Sequence, residues 1–135
     1  MTNGEIKDII QTALTGLGYT VEQRFQLHDE EFEEFSKFPL VVIADGTQIN
    51  DRQANKTEER SYSPQIVFFA ENQTSSEMDA HREAIESAFY ESSALNQATT
   101  TRNIDSITPS ETETRKLEKL TFEATIDYDV FITLS

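Results

Sequence analysis

Near the start of the chain, apolar side chains recur every three or four positions: Ile6, Ile9, Ile10, Ala13, Leu14 and Leu17. That spacing lays one apolar stripe along a helix. Thr2 and Glu5 stand at capping-box spacing ahead of it, and Gly16 and Gly18 supply a stop after it. The pattern then changes to period two. Tyr19, Val21, Phe25 and Leu27 point one way, with Thr20, Glu22 and Arg24 between them, which predicts a strand covered on one side. Phe32 and Phe35 share one face of a short helical turn, which Pro39 ends. Leu40 to Ala44 is a continuous apolar run and reads as a strand buried on both faces.

From Asp45 to Ser61 only Ile49 and Ala54 are apolar, so residues 45–61 are expected to form a long flexible loop. Tyr62 to Glu71 reads as a strand centred on Ile66, Val67, Phe68 and Phe69. Thr74 and Glu77 repeat the capping-box spacing before a second helix, with His81, Ala84, Ile85, Ala88 and Phe89 on one face and an end between Ser92 and Asn96. Ala98 to Ile107 is Thr-rich and β-branched, a strand with a bulge or bend between Ile104 and Ile107. Leu120, Phe122, Ala124, Ile126, Tyr128, Val130, Ile132 and Leu134 then alternate without a break. At ~3.3 Å per residue this last run would span about 50 Å, more than one small sheet needs. It therefore bends near Asp127 to Asp129 or reaches out to a neighbouring molecule.

The expected order is α-β-β-β-α-β-β in one α+β domain over residues 1–135. Short connections favour antiparallel neighbours. The expectation is thus a mostly antiparallel sheet of four to five strands, with two helices packed on one face.

Composition adds three constraints. An apolar fraction of 36% predicts a thin core, with some apolar surface buried only in a complex. The net charge of -14 repels phosphate and anionic lipid, and it argues against specific nucleic-acid binding, which draws its affinity from Lys and Arg. Such acidity serves solubility; in its sharper reading it makes a surface that faces DNA without gripping it, or one that mimics DNA. The absence of cysteine excludes disulfides, thiolate zinc sites and a cysteine nucleophile. No segment approaches the ~18 apolar residues of a membrane span, and Met1 to Gly18 lacks the apolar stretch of a signal peptide.

Candidate chemistry is sparse. His81 lies on an apolar helix face and reads as a partly buried core residue, while His28 matches no metal-ligand spacing. The glycines, at positions 4, 16, 18 and 46, form no phosphate loop, and no G-x-S-x-G elbow occurs. No enzyme and no cofactor are expected. The densest charge is Asp29, Glu30, Glu31, Glu33 and Glu34, read either as the solvated face of a short helix or as an acidic rim. Arg52, Lys56 and Arg60 concentrate basic charge in the expected loop. Tyr62, Tyr90, Tyr128 and Phe131 look exposed, although core burial is the default for such residues; Phe131 makes both faces of the last strand's end partly apolar, which offers subunit contact as the alternative.

The amphipathic first helix leads to a strand, then to the Phe-Pro-Leu-Val-Val-Ile segment at Phe38 to Ile43 and the long polar stretch. Tyr62 to Glu71, the helix from Glu77 to Ser92, a polar strand and the Arg-Lys-Leu-Glu-Lys-Leu-Thr-Phe segment at Arg115 to Phe122 complete the order. This layout resembles the small tail-terminator and tail-completion (head–tail joining) proteins of long-tailed phages. The resemblance covers almost the whole chain as a pattern and contains no diagnostic motif. It implies a non-enzymatic structural protein that forms a ring, typically a hexamer, on the tail tube. Such a ring stops tube polymerisation, presents a face to head-completion protein and lets DNA pass without specific binding. It implies a place in the virion at the head–tail interface, after assembly in the host cytoplasm. In that reading Ile49, Arg52, Lys56, Arg60 and Phe131 meet adjacent subunits or partners, and Asp29, Glu30, Glu31, Glu33 and Glu34 form an acidic surface or lumen. The Asp29–Phe38 insert does not map onto the family pattern. The competing reading is an acidic inhibitor or DNA mimic seated in a basic groove of a host protein; a small-ligand enzyme is a third class.

Overall fold

A computed structural model of the protein describes residues 2–25, 37–53, 57–106, 110–111 and 117–131. Helix α1 (Asn3–Thr15) begins where the Thr2 hydroxyl accepts the Glu5 N–H at 3.2 Å, and its chain leaves through Gly18 at φ 93°, a left-handed position suited to glycine. Then follow β1 (Thr20–Arg24), β2 (Leu40–Gln53), β3 (Thr57–Ala70), α2 (Ser75–Glu91), α3 (Ser93–Ala98), β4 (Thr101–Ser106), β5 (Ser110–Glu111) and β6 (Glu118–Phe131). At the start of α2 the capping box is complete: Thr74 N–H donates to the Glu77 carboxylate at 3.1 Å and Glu77 N–H to the Thr74 hydroxyl at 3.2 Å.

The fold is α+β, but its details differ from the expected ones. The described strands form a six-stranded sheet in the order β1-β2-β3-β6-β4, with β5 also paired to β6. The sheet is mixed, because β1 runs parallel to β2 while β3, β6, β4 and β5 add antiparallel pairings. Parallel neighbours need a crossover of about a dozen residues or more, and the stretch from Phe25 to Pro39 is long enough to provide one. Phe25 lies past the end of β1 and is exposed rather than on the covered face. A third helix, α3, follows α2 directly; the Ser92 hydroxyl caps it by accepting the Leu95 N–H at 3.1 Å.

The expected loop at 45–61 is the largest correction. Residues 45–53 belong to β2 and 57–61 to β3, paired rung by rung through Ile49↔Ser61, Asn50↔Arg60 and Asp51↔Glu59. Strand β6 flanks the same rungs, with Tyr128 opposite Arg60 and Asp129 opposite Glu59. These polar stretches are strands because their neighbours complete the backbone hydrogen bonds, not because an apolar face drives them. A register shift between Ala44 and Thr47 marks where the polar arm begins. There Gly46 lies so close to the neighbouring strand that a Cβ would come within 1.6 Å of the Ser63 carbonyl oxygen.

All three helices pack on one face of the sheet. Ile6, Ile10 and Leu14 of α1, Met78, Ile85 and Phe89 of α2, and Leu95 of α3 meet Val41, Ile43, Tyr62, Ile66, Phe68 and the even-numbered residues of β6 from Leu120 to Tyr128. Leu40, Val42, Val67 and Phe69 face the other way into a second, smaller cluster with Leu117 and Phe38. Leu40 to Ala44 is buried on both faces, as a central apolar run should be.

Candidate functional site

The distal half of the sheet is a three-stranded arm: β2 from Thr47, β3 up to Ser63, and β6 from Ile126. The first turn of α1 ties down its root. Asn3 accepts the Tyr128 hydroxyl and donates to Gln48, whose amide donates to Asn50 at 2.6 Å. One turn later Lys7 pairs with Asp45, and the same carboxylate accepts the Tyr62 hydroxyl at 3.2 Å. Burial, with Asp45 beside it, pushes the Tyr62 hydroxyl well above its ordinary pKa, so it remains a donor at any physiological pH. Glu58 is buried against Arg60 at 2.9 Å on the same strand face. The arm is thus held by mutually satisfied polar groups, of which Glu58 is buried, as well as by packing.

The helix-free face of the sheet divides into two regions. Its proximal end is the apolar cluster of Leu40, Val42, Val67 and Phe69. Its distal end carries Glu59, Asp127 and Asp129, with Asp105 and Glu123 at mid-sheet; the register sets Glu59 directly opposite Asp129 and Asp105 directly opposite Glu123. Like charges facing each other across strands destabilise a sheet. Two of the acids have local donors: Asp127 accepts the Thr101 hydroxyl at 2.6 Å and Asp105 the Asn103 side-chain amide at 3.0 Å. Ile49 lies on this face and is 68% exposed.

Sequence-predicted residues separate under this geometry. Ile49 is exposed on the arm, as an interface residue would be. Arg60 is not free for a partner: its guanidinium is committed to Glu58 on the helix-facing side. Arg52 and Phe131 occupy arm positions opposite Glu58 and Thr57. Lys56 and the cluster Asp29, Glu30, Glu31, Glu33 and Glu34 lie outside the described residues. Tyr62 and Tyr128 are buried in the core, the default for such aromatics, and each hydroxyl finds a partner at the arm root. The acidic face of the sheet was missed, since its members are scattered along the sequence and only strand register brings them together. The one available signal was the polar half of the β6 alternation: Glu123, Asp127 and Asp129 at even spacing.

A surface cleft of about 430 Å³ is bordered by Phe38, Pro39, Glu71, Gln73, Glu77 and His81. His81 takes no free role in it: Nδ1 accepts the Tyr19 hydroxyl at 2.7 Å and Nε2–H donates to the Gln73 side-chain oxygen at 3.1 Å. Burial beside Phe68 lowers its pKa and keeps the ring neutral. Among the described residues no group of three or more His, Asp or Glu is placed to hold a metal ion, and no helix is long and apolar enough to cross a membrane. The chain matches no protein-family model, and no curated protein matches it.

Proposed function

We propose that the protein is a structural component of phage morphogenesis that caps the tail tube as a ring and presents a surface for head–tail joining. The observation that carries this reading is the three-stranded arm, anchored at its root and bearing acid on its helix-free face. An arm tied at its root to the first turns of α1 suits contact between subunits better than catalysis. Its carboxylates suit a surface that DNA slides along, since each repels a passing phosphate. The partners in this reading are further copies of the chain, the tail-tube protein and the head-completion protein. The place is the head–tail interface of the virion, after assembly in the host cytoplasm.

The test is negative-stain microscopy of the purified protein mixed with tubes of its cognate tail-tube protein. Rings on tube ends, and tubes of limited length, are expected. Bare, still-growing tubes at saturating protein overturn the reading.

A second reading, an acidic inhibitor that mimics DNA, draws on the same face. Asp127 and Asp129 stand ~6.6 Å apart along β6, as alternate strand residues do, with Glu59 and Glu123 nearby. It requires a basic host partner whose DNA binding the protein competes away, and competition by fluorescence anisotropy separates it from tube capping.

A further inference from the structure

Sheet edges on the helix-covered part of the molecule are closed by side chains. On the outer edge of β4, the Ile104 N–H donates to the Tyr90 hydroxyl at 2.9 Å. On β1, the Val21 carbonyl accepts the Gln11 amide at 3.4 Å. The arm differs. Thr100 N–H donates to the Asp127 carbonyl at 2.8 Å, so Asp127 directs its backbone groups toward β4. Backbone direction alternates along a strand, so the N–H and C=O of Asp129 point the same way. The pairing of β4 ends at Thr101↔Asp127, and among the described residues no strand lies beside Asp129.

The opposite edge follows by the same alternation. Tyr128 turns its backbone toward β3, and Arg60 opposite it turns toward β6. Asn50, across from Arg60, therefore points away from β3, and so does Gln48. Among the described residues, β2 beyond Ala44 has β3 as its sole strand neighbour. Among the described residues, the arm thus offers two open edges on opposite sides.

We propose that the β6 edge at Asp129 pairs with the β2 edge at Gln48 and Asn50 of a second copy, joining copies head to tail through a continuous sheet. The proposal rests on the ring reading above and names its subunit contact. Charge selects the partner edge. Two β6 edges related by a twofold axis would bring Asp127 and Asp129 against their own mates, whereas the β2 edge carries Gln48 and Asn50, with a single acid, Asp51, next to Arg52. Unlike edges joined in this way repeat, and they close into a ring when the rotation permits. The acid on the β6 edge also guards it, since charge on an exposed edge strand suppresses indiscriminate pairing.

Two substitutions at one position separate backbone from charge. Asp129→Asn keeps the N–H and removes one like charge. Assembly at about tenfold lower protein concentration is expected, equivalent to about 1.4 kcal/mol. Asp129→Pro removes an N–H that points outward, where proline is tolerated; the monomer keeps its circular dichroism and melting point but assembly is lost. Sedimentation velocity at 0.05 and 0.5 M NaCl reads both, with salt favouring wild-type assembly. Amide exchange at Asp129 slows in the assembled wild type. An Asp129→Pro protein that assembles like wild type, an Asp129 amide unprotected in rings, or assembly that stops at twofold dimers each overturns the proposal. Tubes capped equally well by Asp129→Pro overturn the edge pairing and leave the capping reading standing. Rings with a protected Asp129 amide that ignore tail tubes do the reverse.

Discussion

His81 is a neutral ring by construction. Its Nδ1 is occupied by the Tyr19 hydroxyl, its Nε2–H by Gln73, and its face by Phe68. Burial lowers its pKa below the ordinary 6.5 and outweighs the opposing pull of the Glu77 carboxylate. The unfolded chain therefore takes up this proton first as pH falls. The stability contributed by His81 is fully present above about pH 6.5 and declines as pH drops through that value toward the folded-state pKa. The chain's large negative charge acts in the opposite sense, because acid relieves its self-repulsion. The contribution of His81 is isolated by comparing urea midpoints of wild type and His81→Phe at pH 7.5 and 5.5; the advantage of wild type should shrink at the lower pH. The helical spacing already placed His81 on a buried face. Its partner Tyr19 was not legible, because that residue lies in the connection between α1 and β1, which only the fold brings near.

At the scale of elements, legibility followed the source of each element's stability. Helix α1, helix α2 and strand β6 bury an apolar stripe of their own, and their periodicity shows it. The arm portions of β2 and β3 have no such stripe: Gln48, Asn50, Glu58 and Arg60 point toward the helix side, so alternation in hydrophobicity disappears and the sequence resembles a loop. Direction was equally hidden, since nothing local tells β1 to run parallel to β2. Helix α3 is too short to display a period. Gly46 is the clearest mark of the arm's root. Gly46→Ala would force the β2 and β3 backbones apart at Ser63, and a loss of about 3 kcal/mol is expected in urea unfolding, at the upper end of overpacking costs. Amide exchange in residues 47–53 should accelerate more than in Leu40–Ala44.

For the whole molecule, the division of the sheet governs behaviour. One face is covered by helices; the other is apolar at one end and acidic at the other. The net charge could be read from composition, but the gathering of acid on a single sheet face could not, because it depends on register between β3, β4 and β6. The strand that unites these features, β6, is the last described element in the chain yet lies between β3 and β4 in the sheet.

That placement has a consequence for biogenesis. While the ribosome is still making the protein, β3 and β4 wait with a vacant slot between them, and no cooperative sheet can close until residues 118–131 have emerged. Contacts so distant along the chain make for slow closure, and the waiting strands can recruit the wrong guest. A polypeptide released after Leu117 should lack a cooperative melting transition and aggregate during light-scattering assays. Adding a synthetic peptide of residues 118–131 during refolding should restore the transition. Strand β6 acts as the keystone of the sheet, so a nascent copy remains vulnerable until residues 118–131 have been made.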